Sequence, residues 1–178
     1  MLLKLAHRID TATETLSQIY RWLIVALVIT VITGITARTA VGVTLEWTEE
    51  LPWQMYGILI MYGISLSLLR GSHIRTDLYW RRWSVRTQAT VDLVSYITLF
   101  FPSIGTITWL AWQAGIYSHG IKEGSGLTML NLSVWPFKLC IAMGLTLLVL
   151  QGISRCIHCG HVIKTGHTPR NLHHEVDI

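Results

Sequence analysis

Three groups of residues in this 178-residue chain have types and spacings that chemistry could use. The first is Cys156-Ile157-His158-Cys159-Gly160-His161, a C-x-x-C pair carrying two histidines. A structural zinc site here would draw on Cys156, Cys159, His161 and His167. It is not a c-type haem box, because Gly160 stands where C-x-x-C-H requires histidine. The segment follows an apolar run with no hydrophobic core after it, so a tail without metal is the expectation. The second group is the ionisable residues inside apolar runs, Arg38, Asp92 and Lys138. All three lie within a few residues of a run's end, where snorkelling and interhelical pairing outweigh a direct catalytic or transport role. The third group flanks a single apolar run. Glu46, Glu49 and Glu50 precede Leu51 to Leu69, and Arg70, Arg75, Arg81, Arg82 and Arg86 follow it.

Other chemistries find no footing. A b-type haem held within a bilayer needs axial ligands at mid-depth. None of the eight histidines lies mid-run; His73 and His119 fall at run ends and the rest in terminal segments. No nucleotide loop, nucleophile motif or hydrolytic dyad occurs. The expectation is therefore no enzyme, no cofactor and no metal. Basic residues cluster in a few segments, which is an orientation signal rather than a nucleic-acid footprint.

The elements that must position these residues are membrane helices. Only 13% of residues are charged and 51% are hydrophobic, against about 25% charged in soluble domains. Eight Trp and six Tyr gather near the ends of apolar runs, where amphipathic rings favour the headgroup level. Three cysteines are too few for a disulfide framework. Residues 1–21 read as an amphipathic helix, lying in the interface or packed on a neighbour, with no cleaved leader. Four spans follow, over about 22–43, 51–69, 89–117 and 134–153. Pro52 suits the first turn of the second span, and Gly57 and Gly63 offer close approach to another helix. Pro102 should kink the third. A basic surface helix is expected over 70–88 and a polar, His-rich tail over 154–178.

Lys and Arg then set the orientation. Three precede the first span, five lie between spans two and three, and three follow the fourth; the other two connections hold none and one, Lys122. An all-α, four-span protein with both termini in the cytoplasm satisfies the positive-inside rule at every connection. Arg38 then shares the opposite side with the Glu cluster, and a pair between it and Glu49 or Glu50 would set the angle between the first two spans.

At these residues the sequence resembles the small membrane subunit of tripartite ATP-independent periplasmic (TRAP) transporters, the DctQ-type family. The resemblance rests on Arg38 late in the first span, Trp47-Thr48-Glu49-Glu50-Leu51 opening the second, and Gly71-Ser72-His73-Ile74-Arg75-Thr76-Asp77 after it. It implies a non-catalytic scaffold in a bacterial inner membrane, among phospholipids. It also implies two protein partners, a large membrane subunit that carries the solute and a periplasmic solute-binding protein. The implied activity is symport of a small solute, commonly an organic acid. Arg38, Trp47, Glu49, Glu50, Arg70, His73 and Asp77 become candidates for fastening the scaffold or meeting a subunit. A membrane anchor of a redox enzyme and a small autonomous exporter are the alternatives; the first lacks mid-span histidines, and the second would lean on Asp92.

Overall fold

The computed structural model describes residues 2–70 and 83–165, and within them the chain is all-α. Helix α1 runs Leu2–Thr36 and passes into a π-helical turn, Ala37–Val41. Gly42, at φ 70°, closes it in the left-handed conformation that glycine adopts at least cost. Helix α2 is Glu46–Leu69, α3 Val85–Ser95, α4 Phe101–Gly120 and α5 Trp135–Thr165. A π-helical turn, Tyr96–Phe100, joins α3 to α4 directly before Pro102. Proline lacks the N–H and crowds the carbonyl four residues back, so the wider turn is the local response to the kink the sequence implies.

Among the described residues, three stretches are long and apolar enough to cross a membrane: Leu3–Val41, Val85–Gly120 and Trp135–Thr165. Helix α2 joins them on length, since its 24 residues rise about 36 Å against a hydrocarbon core of about 30 Å. The outer surface is correspondingly apolar. Trp22, Ile29, Ile32 and Ile35 of α1 and Trp109, Leu110 and Ile116 of α4 are all exposed. The inner core is small: Leu68, Leu145 and Leu148, with Met61, Tyr96, Phe100 and Ile104 packed around them. Between helices, the Tyr20 ring stacks on Tyr62 at 3.8 Å, and Trp112 Nε1 donates to Thr146 Oγ1 at 3.0 Å.

Several boundaries differ from those read off the sequence. The 39 residues of Leu3–Val41 extend nearly 60 Å, about twice a bilayer core. Of the two placements open to the N-terminal segment, the structure has the packed one: residues 2–21 form the start of α1, and Ala6, Asp10 and Thr13 lie against α5. That helix runs on past Ile153 to Thr165, through residues read as tail. Pro52 sits in the second turn of α2 rather than the first, because the helix begins at Glu46. Helix α3 begins at Val85, ahead of Ala89, because Ser84 caps it; its Oγ accepts the Thr87 N–H at 3.2 Å. A Cβ on Gly57 would meet the Phe137 ring at 2.8 Å, whereas one on Gly63 would meet nothing within 4 Å, so of these two glycines Gly57 alone marks a tight helix contact.

Candidate functional site

The polar residues converge at two ends of the bundle. At one end, α2 begins with three carboxylates that meet two different partners, the loop between α4 and α5 and the end of α1. Successive residues on a helix are about 100° apart, while residues four apart share a face. Glu46 and Glu50 therefore face one way, toward the loop between α4 and α5. Glu46 Oε2 accepts the Leu130 N–H at 2.6 Å. Glu50 accepts the Leu132 N–H at 3.0 Å and the Thr128 hydroxyl, and it is fully buried. Enclosure alone would raise the Glu50 carboxyl, but the hydrogen bonds from Thr128, Ser125 and the loop backbone hold it below its ordinary value. Glu123 and Lys138 close the base of the same loop at 2.5 Å, and Lys138 holds the Glu123 carboxyl low. The isolated bridge Gly124–Ser133 and the positive φ of Lys122, Gly126 and Asn131 complete a loop of defined shape.

Glu49 is turned about 100° from Glu50 and meets Arg38, presented by the π-helical turn after α1. The expected pairing of Arg38 is thus with Glu49 and not with Glu50. Both side chains are about half exposed, so the pair is worth at most about 1 kcal/mol to the isolated protein. Arg38→Glu and Glu49→Arg are each expected to lower its melting temperature in detergent by no more than a few degrees. The double reversal is expected to recover that loss. Additive losses in the double variant would show that the two charges act independently.

At the other end, the overlong parts of α1 and α5 are sewn together by polar groups. Asp10 Oδ1 accepts from Ser154 Oγ at 2.7 Å and Gln151 Nε2 at 2.9 Å, and its Oδ2 lies 3.2 Å from His158 Nε2. Gln151 in turn accepts from Thr13 Oγ1 at 2.9 Å. Burial pushes the Asp10 carboxyl up, yet bonds from His158, Ser154 and Gln151 outweigh it and hold it low. Arg70 pairs with Glu14 at 3.2 Å. Arg155 Nε donates to the Leu68 carbonyl at 2.9 Å and its Nη2 to that of Leu69. Those carbonyls belong to the last turn of α2, so Arg155 caps its C-terminus with a side chain.

Of the residues singled out from sequence, Arg38, Glu49 and Glu50 come together at the first end and Arg70 lies at the second. Trp47 is 38% exposed beside the first cluster. His73 and Asp77 lie outside the described residues, as does His167. Among the described residues, no three His, Cys, Asp or Glu side chains converge as metal ligands, and Cys156 and Cys159 remain unbridged. Sequence reading did not find Asp10, Gln151, Ser154 or Arg155 as a joint between helices. Their polarity on an otherwise apolar helical stretch was the available signal.

Fold and polar ends together define an integral membrane protein of packed helices, fastened by hydrogen bonds and ion pairs at both ends. Residues 8–159 match the family described as tripartite ATP-independent periplasmic transporters, DctQ component. The chain belongs to that family and is the small membrane component of a TRAP transporter. Comparisons with curated proteins and with solved structures give no match.

Proposed function

We propose that this subunit is a stationary, non-catalytic scaffold in a bacterial inner membrane. It holds a large membrane subunit at fixed depth while that partner moves the solute. A periplasmic binding protein delivers the solute, a small organic acid taken up by symport. Both chain termini face the cytoplasm, following the arginine-rich connection after α2. The loop held by Glu46 and Glu50 then faces the periplasm, where the binding protein approaches. Arg38, Trp47, Glu49 and Arg70 lie at the bundle's rims, where a partner meets the fixed ends of helices, and His73 and Asp77 belong to the same cytoplasmic connection as Arg70.

One observation carries this reading. Asp10, Glu14, Arg38, Glu46, Glu49, Glu50, Arg70, Glu123, Lys138 and Arg155 bind the bundle's own helices and loop at its two ends. Charge used in that way rigidifies a frame rather than forming a solute path. Purified from native membranes, the protein is expected to bring with it a larger, many-span protein. Proteoliposomes holding this chain alone should accumulate no organic acid, and adding the large subunit and binding protein should start uptake. Transport by the isolated chain would overturn the scaffold role.

A further inference from the structure

Among the described residues no metal-ligand cluster forms at the Cys156–His161 segment, yet one stripe of it lines a groove. Ile153, Cys156, Ile157, Gly160, His161 and Lys164 recur at helical spacing along α5. The facing wall is Leu3 of α1, with Ile97 in the π-helical turn and Phe101 just after it. The opposite face of α5, with Ser154, Arg155 and His158, is occupied by the joint to α1 and α2. The groove has a volume of about 520 Å³, within the roughly 300–1,000 Å³ of small-molecule sites.

Its chemistry is graded along its length. The floor at Phe101, Ile97 and Ile153 is apolar; Ile97 and Phe101 fall within the third span and Ile153 ends the fourth. From Ile153 to Lys164 the helix rises about 16 Å, and the groove ends at one imidazole and one ammonium group. Lys164 is exposed and has no ion pair among the described residues. A long apolar slot that starts in hydrocarbon and ends at an ammonium group beside an imidazole is complementary to one molecule abundant at that depth. We propose that this groove binds an anionic glycerophospholipid, with an acyl chain along Ile97, Phe101, Ile153 and Ile157. Its phosphate sits at Lys164 and His161. The lipid is a wedge between α5 and the start of α1 and keeps the two overhanging helices in register at the membrane surface. The site depends only on the helices spanning a membrane, and not on the scaffold role proposed above.

Gly160 makes the test clean. A Cβ there meets nothing within 4 Å, so Gly160→Leu fills the groove without displacing a neighbour. Lys164→Gln removes the exposed charge and leaves the packing untouched. The full-length protein in detergent is titrated with phosphatidylglycerol and, separately, phosphatidylcholine, and bound lipid is counted by native mass spectrometry. In a Cys140→Ala/Cys159→Ala background, Cys156 reports occupancy through its rate of reaction with a maleimide. The wild type is expected to retain phosphatidylglycerol over phosphatidylcholine and to show slowed Cys156 labelling with the former. Lys164→Gln should weaken phosphatidylglycerol binding about fivefold, the effect of roughly one surface cation. Gly160→Leu should abolish both the retention and the protection. Equal binding of the two lipids, or unchanged binding in both variants, would overturn the proposal. So would variants that keep lipid but lose the large co-purifying membrane protein, because the groove would then be a protein interface.

Discussion

Replacing Glu50 with alanine is expected to release the loop between α4 and α5 and to lower the melting temperature in detergent by roughly 5–10 °C. The side chain is fully buried and serves two parts of the loop at once, the Thr128 hydroxyl and the Leu132 N–H. Alanine leaves two part-buried donors without this acceptor and opens a cavity where the buried side chain stood, and each defect is costly in its own right. Glu50→Gln is the informative companion. Its amide oxygen still accepts from Leu132, and the Thr128 hydroxyl can turn to accept from the new amide, so the loss should be less than half as large. Limited proteolysis within residues 121–134 reads the loop directly, and thermal unfolding reads the whole. If Glu50→Ala is cleaved no faster than the wild type, the loop is held by Glu46 and the Glu123–Lys138 pair without it. The pH dependence has a defined sign. The Glu50 carboxyl is held below its ordinary value of 4.5 in the folded protein, so its contribution is complete above about that pH. It is lost as pH falls further, through the folded value. Glu123 is shifted in the same direction, so Glu50→Gln should shrink the acid-dependent step rather than remove it.

The contrast between Glu49 and Glu50 shows what a sequence carries. Acids before an apolar run and bases after it are one-dimensional signals, and they mark the ends of α2 and the side on which Arg38 can find a partner. Which of two neighbouring acids takes that partner is a question of helical phase. Phase becomes readable only once the helix start is known. The helix begins at Glu46, five residues before the apolar run, and this sends Glu50 inward with Glu46 and leaves Glu49 for Arg38. The joint at the other end was hidden for a different reason. Asp10 and Ser154 are separated by 144 positions, and periodicity in each segment says only that one face is polar. Nothing local tells that the two polar faces meet, or that meeting lets both helices continue beyond the bilayer. The Cys156–His161 segment was read through its ligand types, which drew attention to side chains that do not converge. Gly160 was noted there only as the residue that breaks a haem motif. In three dimensions its missing side chain opens the groove.

Gly152 should be the least tolerant glycine in the bundle. A Cβ built on it lies 2.4 Å from Phe100 Cε1 and 3.1 Å from two further atoms of the same ring. Phe100 has little room to retreat. It belongs to the π-helical turn before Pro102, its ring is edge-on to Tyr96 at 5.3 Å and to Phe101 at 5.5 Å, and it packs on the Leu68, Leu145 and Leu148 core. Even Gly152→Ala must therefore push a ring through a packed contact, at about 1–3 kcal/mol. Gly152→Leu should separate α5 from the turn and prevent accumulation of folded protein. Because α5 also carries Ser154, Arg155 and His158, the displacement should reach the joint with α1 and the cap on α2. Alanine at 152 is then expected to expose Cys156 to thiol reagents faster than the wild type. Rescue identifies the cause. Phe100→Leu removes the ring edge that the new methyl meets, so the double variant Gly152→Ala/Phe100→Leu should be more stable than the sum of its single effects predicts. Strict additivity, or a Gly152→Ala protein as stable as the wild type, would mean that Phe100 does not pack against Gly152. The core of this small subunit would then owe its shape to the polar joints at its ends rather than to the close approach of α5 and the π-helical turn.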